Sequence, residues 1–159
     1  MIKVLFVCLG NICRSPMAEA MFRYLVKREG LEHKIMTDSA GTGNWHIGKP
    51  PHEGTKNILK KNQISTEGLT ARQVKTRDLE EFDYIIAMDV NNQRDIEKLK
   101  AANPKAKISL LLDHAKTVGT RDVPDPYYTG NFEEVFQMVK EGCEQLLENI
   151  KSDGLKERL

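Results

Sequence analysis

Ile2–Val7 is β-branched, aromatic and apolar at every position but Lys3, and Cys8-Leu9-Gly10-Asn11-Ile12-Cys13-Arg14-Ser15-Pro16 follows it directly. A run of that composition and length predicts a strand buried on both faces. Ser15-Pro16 predicts a helix start, because Ser caps and Pro fits a first turn in which its missing N–H is not needed. Met17, Met21, Tyr24 and Leu25 then recur at helical spacing until Gly30 closes the helix. A buried strand feeding a helix through a short loop is the opening half of a βαβ unit, and it restricts what the rest of the chain can build.

The remaining segments continue the alternation. Lys34–Ser39, Tyr84–Met88 and Ile108–Leu112 read as strands, and His52–Asn62 and Val90–Ala101 as helices. Gly41–Pro51 is a turn-rich loop. In the last helix Phe132, Val135, Phe136, Val139, Cys143, Leu146, Leu147 and Ile150 form one apolar stripe. The expected fold class is α/β: a four-stranded parallel sheet with helices on both faces, and a phosphate-binding loop between strand 1 and helix 1. Residues 1–159 are expected to form a single domain, large enough to do without disulfides or a structural metal.

Lys+Arg 24 against Asp+Glu 23 leaves a formal charge of +1, which argues against nucleic acid as a partner. Three cysteines is an odd number, and no apolar run approaches a membrane span or a signal peptide. These features predict a reduced, cytoplasmic, soluble protein.

In parallel sheets ligands bind at the carboxyl ends of the strands, where the Cys8–Arg14 loop lies. A loop entering a helix N-terminus gathers unpaired N–H groups and the positive end of the helix dipole. Gly10 permits a positive φ, so the N–H groups of Leu9, Gly10, Asn11, Ile12 and Cys13 can turn inward as an anion nest. Arg14 adds a planar guanidinium that can hold two phosphate oxygens. Such surroundings turn a thiol into a thiolate nucleophile, which makes Cys8 a candidate for phosphocysteine chemistry without a metal or cofactor. A buried inert cysteine is the alternative. Zinc is disfavoured, since Cys8 and Cys13 lack a second ligand pair at recognisable spacing.

A leaving group also needs a proton. Asp122-Val123-Pro124-Asp125-Pro126-Tyr127-Tyr128 lies in the loop between the fourth strand and the last helix, again at the carboxyl end of the sheet. Pro126 biases Asp125 away from helix, and Asp125 is the candidate general acid. Asp122 is its rival, and a plain Asp-Pro turn is the alternative.

The chain resembles the low-molecular-weight protein tyrosine phosphatases from end to end. The resemblance rests on the Val7–Pro16 segment, on Asp38-Ser39-Ala40-Gly41-Thr42 with Trp45, on Ala71-Arg72-Gln73, on Asp83-Tyr84-Ile85 with Met88-Asp89, and on Asp125-Pro126-Tyr127-Tyr128. It implies a phosphotyrosine phosphatase acting on proteins, peptides and aryl phosphates and releasing inorganic phosphate, as a monomer or weak homodimer. Cys8 would be the nucleophile, Arg14 the phosphate-binding residue, and Asp125 the general acid and then base. Asn11 would brace the loop with Ser39 among its partners, Ser15 would donate to the Cys8 sulfur, and Asp89 would orient Arg14 or merely cap a helix. Leu9, Ile12, Trp45, Tyr127 and Tyr128 would wall an aryl pocket. Cys13 would be a redox partner of Cys8, or a small packing residue.

One position departs from the pattern: many members carry a loop-bracing histidine where this chain has Leu69. A looser loop or another partner for Asn11 is then expected. Cys143 is expected to be buried and inert, and His33, His46, His52 and His114 to be surface residues, with His46 and His52 near substrate. Arsenate reductases of this fold need further cysteines near the third strand, and residues 82–92 hold none. Protein-arginine phosphatases carry threonine in place of Ile12. A phosphocysteine carrier would not need Asp125, and a silent anion-binding module would not need the full Cys-Arg-Asp set.

Overall fold

The computed structural model describes residues 1–155. Its core is one sheet of β1 (Ile2–Cys8), β2 (Ile35–Gly41), β3 (Tyr84–Ala87) and β4 (Lys107–Leu110), in the order β2-β1-β3-β4 and parallel throughout. β1 lies between two neighbours, which is why its sequence is apolar on both faces. Val4, Phe6 and Cys8 face one layer; Leu5 and Val7 face the other.

The first layer holds α1 (Arg14–Arg28), α2 (Glu53–Lys61) and α6 (Phe132–Ile150). The apolar stripe of α6 is buried from Val135 to Ile150, and Phe6 meets Phe22 of α1 edge-on at 5.5 Å. The second layer is smaller and uses Leu79 of α3 (Asp78–Glu81) and Ile96 of α4 (Val90–Glu97). A short helix α5 (Pro126–Thr129) precedes α6, a 3-10 turn (Leu111–Asp113) follows β4, and a π-helical turn (Lys151–Leu155) follows α6. No helix among the described residues is long and apolar enough to cross a membrane.

The expected fold class stands, with local corrections. α3 and α5 are too short to show a periodicity, and α4 ends at Glu97 rather than Ala101. Residues 111 and 112 belong to the 3-10 turn and not to β4. Tyr24 leaves the α1 stripe and is exposed, with Arg28 stacked over its ring. His114 is not a surface residue: Ser109 Oγ and Asn149 Nδ2 hold its two ring nitrogens at 3.0 and 2.7 Å.

Candidate active site

α1 begins at Arg14 with Cys13 at its N-cap, one residue before the Ser15 start that the sequence predicts. Cys13 makes no side-chain cap bond, and Ser15 lies fully buried in the first turn. Ser15 is therefore not a cap. Its Oγ is 3.0 Å from Cys8 Sγ. Asn11 N–H also points at that sulfur, at 3.3 Å.

The loop's carbonyls are tied outward. Thr42 N–H donates to Cys8 O at 2.9 Å, Gly43 N–H to Leu9 O at 2.9 Å, and His52 N–H to Ile12 O at 2.7 Å. Thr55 Oγ1 donates to Cys13 O at 3.2 Å. A trans peptide sets its N–H opposite its C=O, so the N–H groups of Leu9, Gly10, Cys13 and Arg14 turn toward the inside of the loop. That arrangement suits an anion.

The residue in the left-handed region is Asn11, at φ 58°, and not Gly10 as the sequence predicts. A side chain there is strained unless its surroundings hold it. Asn11 is 2% exposed and fully bonded: Arg72 N–H donates to its Oδ1 at 2.9 Å, and its Nδ2 donates to Ser15 Oγ at 2.7 Å and Ser39 Oγ at 3.0 Å. Ser39 is the expected partner, Arg72 N–H and Ser15 complete the set, and Leu69 is buried in the apolar core. Gly10 is small for a different reason: a Cβ there would lie 3.1 Å from His46 Cδ2.

Arg14 is buried, and its Nη1 donates to Asp89 Oδ2 at 2.7 Å and to Val123 O at 3.0 Å. Asp89 Oδ1 accepts from Asn92 N–H at 2.7 Å, so one carboxylate oxygen caps α4 while the other accepts from Arg14. Burial works against the Arg14 charge, but Cys8, Asp89 and Asp125 outweigh it and hold its pKa above the usual arginine value. Asp125 is the N-cap of α5, accepting from Tyr127 N–H through Oδ1, while its Oδ2 lies 3.4 Å from Arg14 Nη2. Asp122 is instead exposed and accepts from Val90 N–H at 3.0 Å, away from the cleft.

Cys8, Leu9, Gly10, Ile12, Cys13, Asp125, Trp45, His46, Tyr127 and Tyr128 line one cleft of about 320 Å³. Trp45, Tyr127 and Tyr128 are 64%, 51% and 74% exposed, so they form its rim more than its floor. Behind Tyr127, His52 presents its ring edge-on at 5.9 Å and stacks on Phe132 at 5.3 Å. His52 also caps α2, with Nδ1 accepting from Gly54 N–H. Sequence reasoning left Glu19, Thr55 and the Arg72 main chain unassigned, because each reaches the loop only through the fold.

Burial, with Asp125 and Cys8 nearby, pushes the Cys13 thiol up to about 12. Cys143 is fully buried in α6, which raises its thiol pKa and keeps it neutral. Among the described residues, no three His, Cys, Asp or Glu side chains converge as a metal site requires.

The family model described as "Low molecular weight phosphotyrosine protein phosphatase" matches residues 3–156. The Bacillus subtilis low-molecular-weight protein-tyrosine-phosphatase YfkJ is 58% identical over 153 residues, covering 96% of this chain and 98% of its own. Its crystal structure superposes with a TM-score of 0.93 over 97% of both chains. The Staphylococcus aureus enzyme PtpA is 46% identical over 99% of both. A Drosophila arginine phosphatase structure is 36% identical with a TM-score of 0.86, covering 96% of this chain and 99% of its own. This chain belongs to the low-molecular-weight phosphotyrosine protein phosphatase family.

Proposed function

We propose that the protein is a phosphotyrosine phosphatase whose single domain works through a phosphocysteine on Cys8. The observation that carries this reading is that Cys8 and Asp125 line one cleft with Arg14 bonded to Asp125 behind it, while Ser15 and Asn11 N–H both address the Cys8 sulfur.

The phosphoryl group sits in the loop, with its oxygens on the inward N–H groups of Leu9, Gly10, Cys13 and Arg14 and on the Arg14 guanidinium. The Cys8 thiolate attacks phosphorus in line while the P–O bond to the tyrosine ring breaks. Protonated Asp125 gives its proton to the departing phenol oxygen. Asp125, now a carboxylate, takes a proton from water as that water attacks the phosphocysteine. The S–P bond then breaks, and Cys8 leaves as thiolate with inorganic phosphate as product. Asp89 contributes by fixing the plane of Arg14, and Ser15 by stabilising the departing thiolate.

Leu9, Ile12, Trp45, Tyr127 and Tyr128 give the cleft aromatic and aliphatic walls, which favours an aryl ester. The Drosophila relative motivates a second substrate, phosphoarginine, on the same chemistry. Cys13 shares the cleft with Cys8, and we assign it as the partner in a reversible disulfide.

The deciding experiment is phosphate release from matched phosphotyrosine and phosphoarginine peptides with reductant and a chelator present. Release mainly from phosphotyrosine supports the reading. Preference for phosphoarginine keeps the mechanism and overturns the substrate. No release from either, with phosphate trapped on Cys8, would favour a carrier.

A further inference from the structure

Glu19 is a carboxyl on α1, 7% exposed, and the steps above give it no task. It accepts from Ser39 Oγ through Oε1 at 2.6 Å, and Ser39 Oγ is 3.0 Å from Asn11 Nδ2. The directions of the Asn11 bonds are forced. Arg72 N–H can only donate, so the Asn11 atom 2.9 Å away is the amide oxygen. Both Nδ2 protons then go to serine oxygens, those of Ser15 and Ser39. Each serine has one proton of its own left: that of Ser39 is directed at Glu19, and that of Ser15 is available to Cys8 Sγ, 3.0 Å away, once Cys8 is a thiolate.

We propose that Glu19 is a positioning residue for the nucleophile, which as a carboxylate anchors the Ser39 hydroxyl, and through Ser39 the Asn11 amide that reaches Ser15 and the Cys8 sulfur. The inference rests on the reading of Cys8 as nucleophile. It makes the brace depend on a charge state. A neutral carboxyl is either a weaker acceptor or itself a donor to Ser39 Oγ, so Ser39 is anchored less firmly although Asn11 still donates to it.

The charged groups that bear on Glu19 are Arg23 on its own helix, Asp38 on β2, and Arg72 on the segment before α3. Burial is the largest influence and pushes Glu19 up to about 7; the Ser39 bond opposes it, Asp38 adds to it, and Arg23 and Arg72 oppose it. Neither arginine is a contact partner. Arg72 is bonded to Asp38 and Asp78, and Arg23 to Ser65 O. Glu19 therefore changes charge near neutrality beside the loop it braces.

The test is the rate of Cys8 alkylation by iodoacetamide in the full chain, followed by peptide mapping over the pH range that brackets the Glu19 transition. Inorganic phosphate protection is measured alongside to report a formed loop. The expected wild-type profile carries an inflection near 7, about three- to tenfold in rate, that Glu19→Gln removes. Gln keeps an acceptor for Ser39 but does not titrate. Ser39→Ala should remove the same inflection, and the double variant should add nothing further, because Glu19 acts only through Ser39. Persistence of the wild-type inflection in Glu19→Gln, or in Ser39→Ala should Glu19→Gln fail to fold, overturns the inference. A wild-type Cys8 no more reactive than Cys143 at any pH overturns the nucleophile reading and the inference with it.

Discussion

Ser15 Oγ lies 3.0 Å from Cys8 Sγ and accepts from the Asn11 amide at 2.7 Å, so its own proton is available to a Cys8 thiolate. That single hydroxyl stabilises a thiolate that must leave in the second half of the reaction. A hydrogen bond to a charged group is worth about 1.5–3 kcal/mol. Ser15→Ala should lower kcat about ten- to a hundredfold, with the loss concentrated in phosphocysteine breakdown. Single-turnover kinetics would separate the two steps. A loss of thermal stability with both rates intact would reduce Ser15 to a structural residue.

Asp125 faces Arg14 across 3.4 Å and is also tied to the α5 N-terminus, so its carboxyl is placed without substrate. Asp125→Asn keeps the cap and removes the acid. Turnover of phosphotyrosine should fall about 10²–10⁴-fold. With an aryl phosphate whose leaving group needs no proton, cleavage should survive while breakdown slows, giving a burst of phenol stoichiometric with enzyme. Uniform loss in both steps, without a burst, would reassign the acid.

The parts of this site that sequence could disclose are the local ones. Cys8, Gly10, Arg14 and Pro16 lie on one strand-loop-helix unit, where spacing carries the chemistry. Even there, the positive φ fell on Asn11 and not on Gly10, because one local hydrogen bond to Ser15 and two tertiary ones to Arg72 and Ser39 hold Asn11. Asp89 could not be decided from spacing, since its two oxygens serve α4 and Arg14 separately. Glu19 looks like any polar residue on a helix until β2 brings Ser39 to it. α3 and α5 have four residues each, less than the window in which a period can be seen.

Cys13 lines the same cleft as Cys8, but its thiol is pushed up to about 12. Peroxide would oxidise Cys8 to the sulfenic acid. Cys13 sulfur would then form the S–S bond as the S–O bond of Cys8 breaks and water leaves. Attack requires thiolate, which is scarce near neutrality for such a thiol. The Cys8–Cys13 disulfide should therefore form slowly at neutral pH and faster as pH rises, at the expense of Cys8 sulfinic acid. Peptide mapping after mild peroxide at several pH values checks this, and sulfinic acid without any disulfide at every pH would remove Cys13 from the redox assignment.

Two buried groups should tilt stability in opposite senses. Burial raises Glu19 from 4.5 to about 7, so the native state favours its protonated form. The stability this gives is complete below pH 4.5 and is lost as pH rises through about 7, a change on the order of 3 kcal/mol. Burial lowers His114 below 6.5, so the native state favours neutral imidazole between Ser109 and Asn149. That contribution is complete above 6.5 and falls away as pH drops through the lowered native value. Urea unfolding of wild type, Glu19→Gln and His114→Gln from acid to mildly alkaline pH separates them. Glu19→Gln should gain on wild type as pH rises, and His114→Gln should flatten the acid limb alone. A wild-type curve left parallel to both variants would mean that neither group is coupled to folding, and the cost of keeping a carboxylate beside Ser39 would then have to be met elsewhere in the loop.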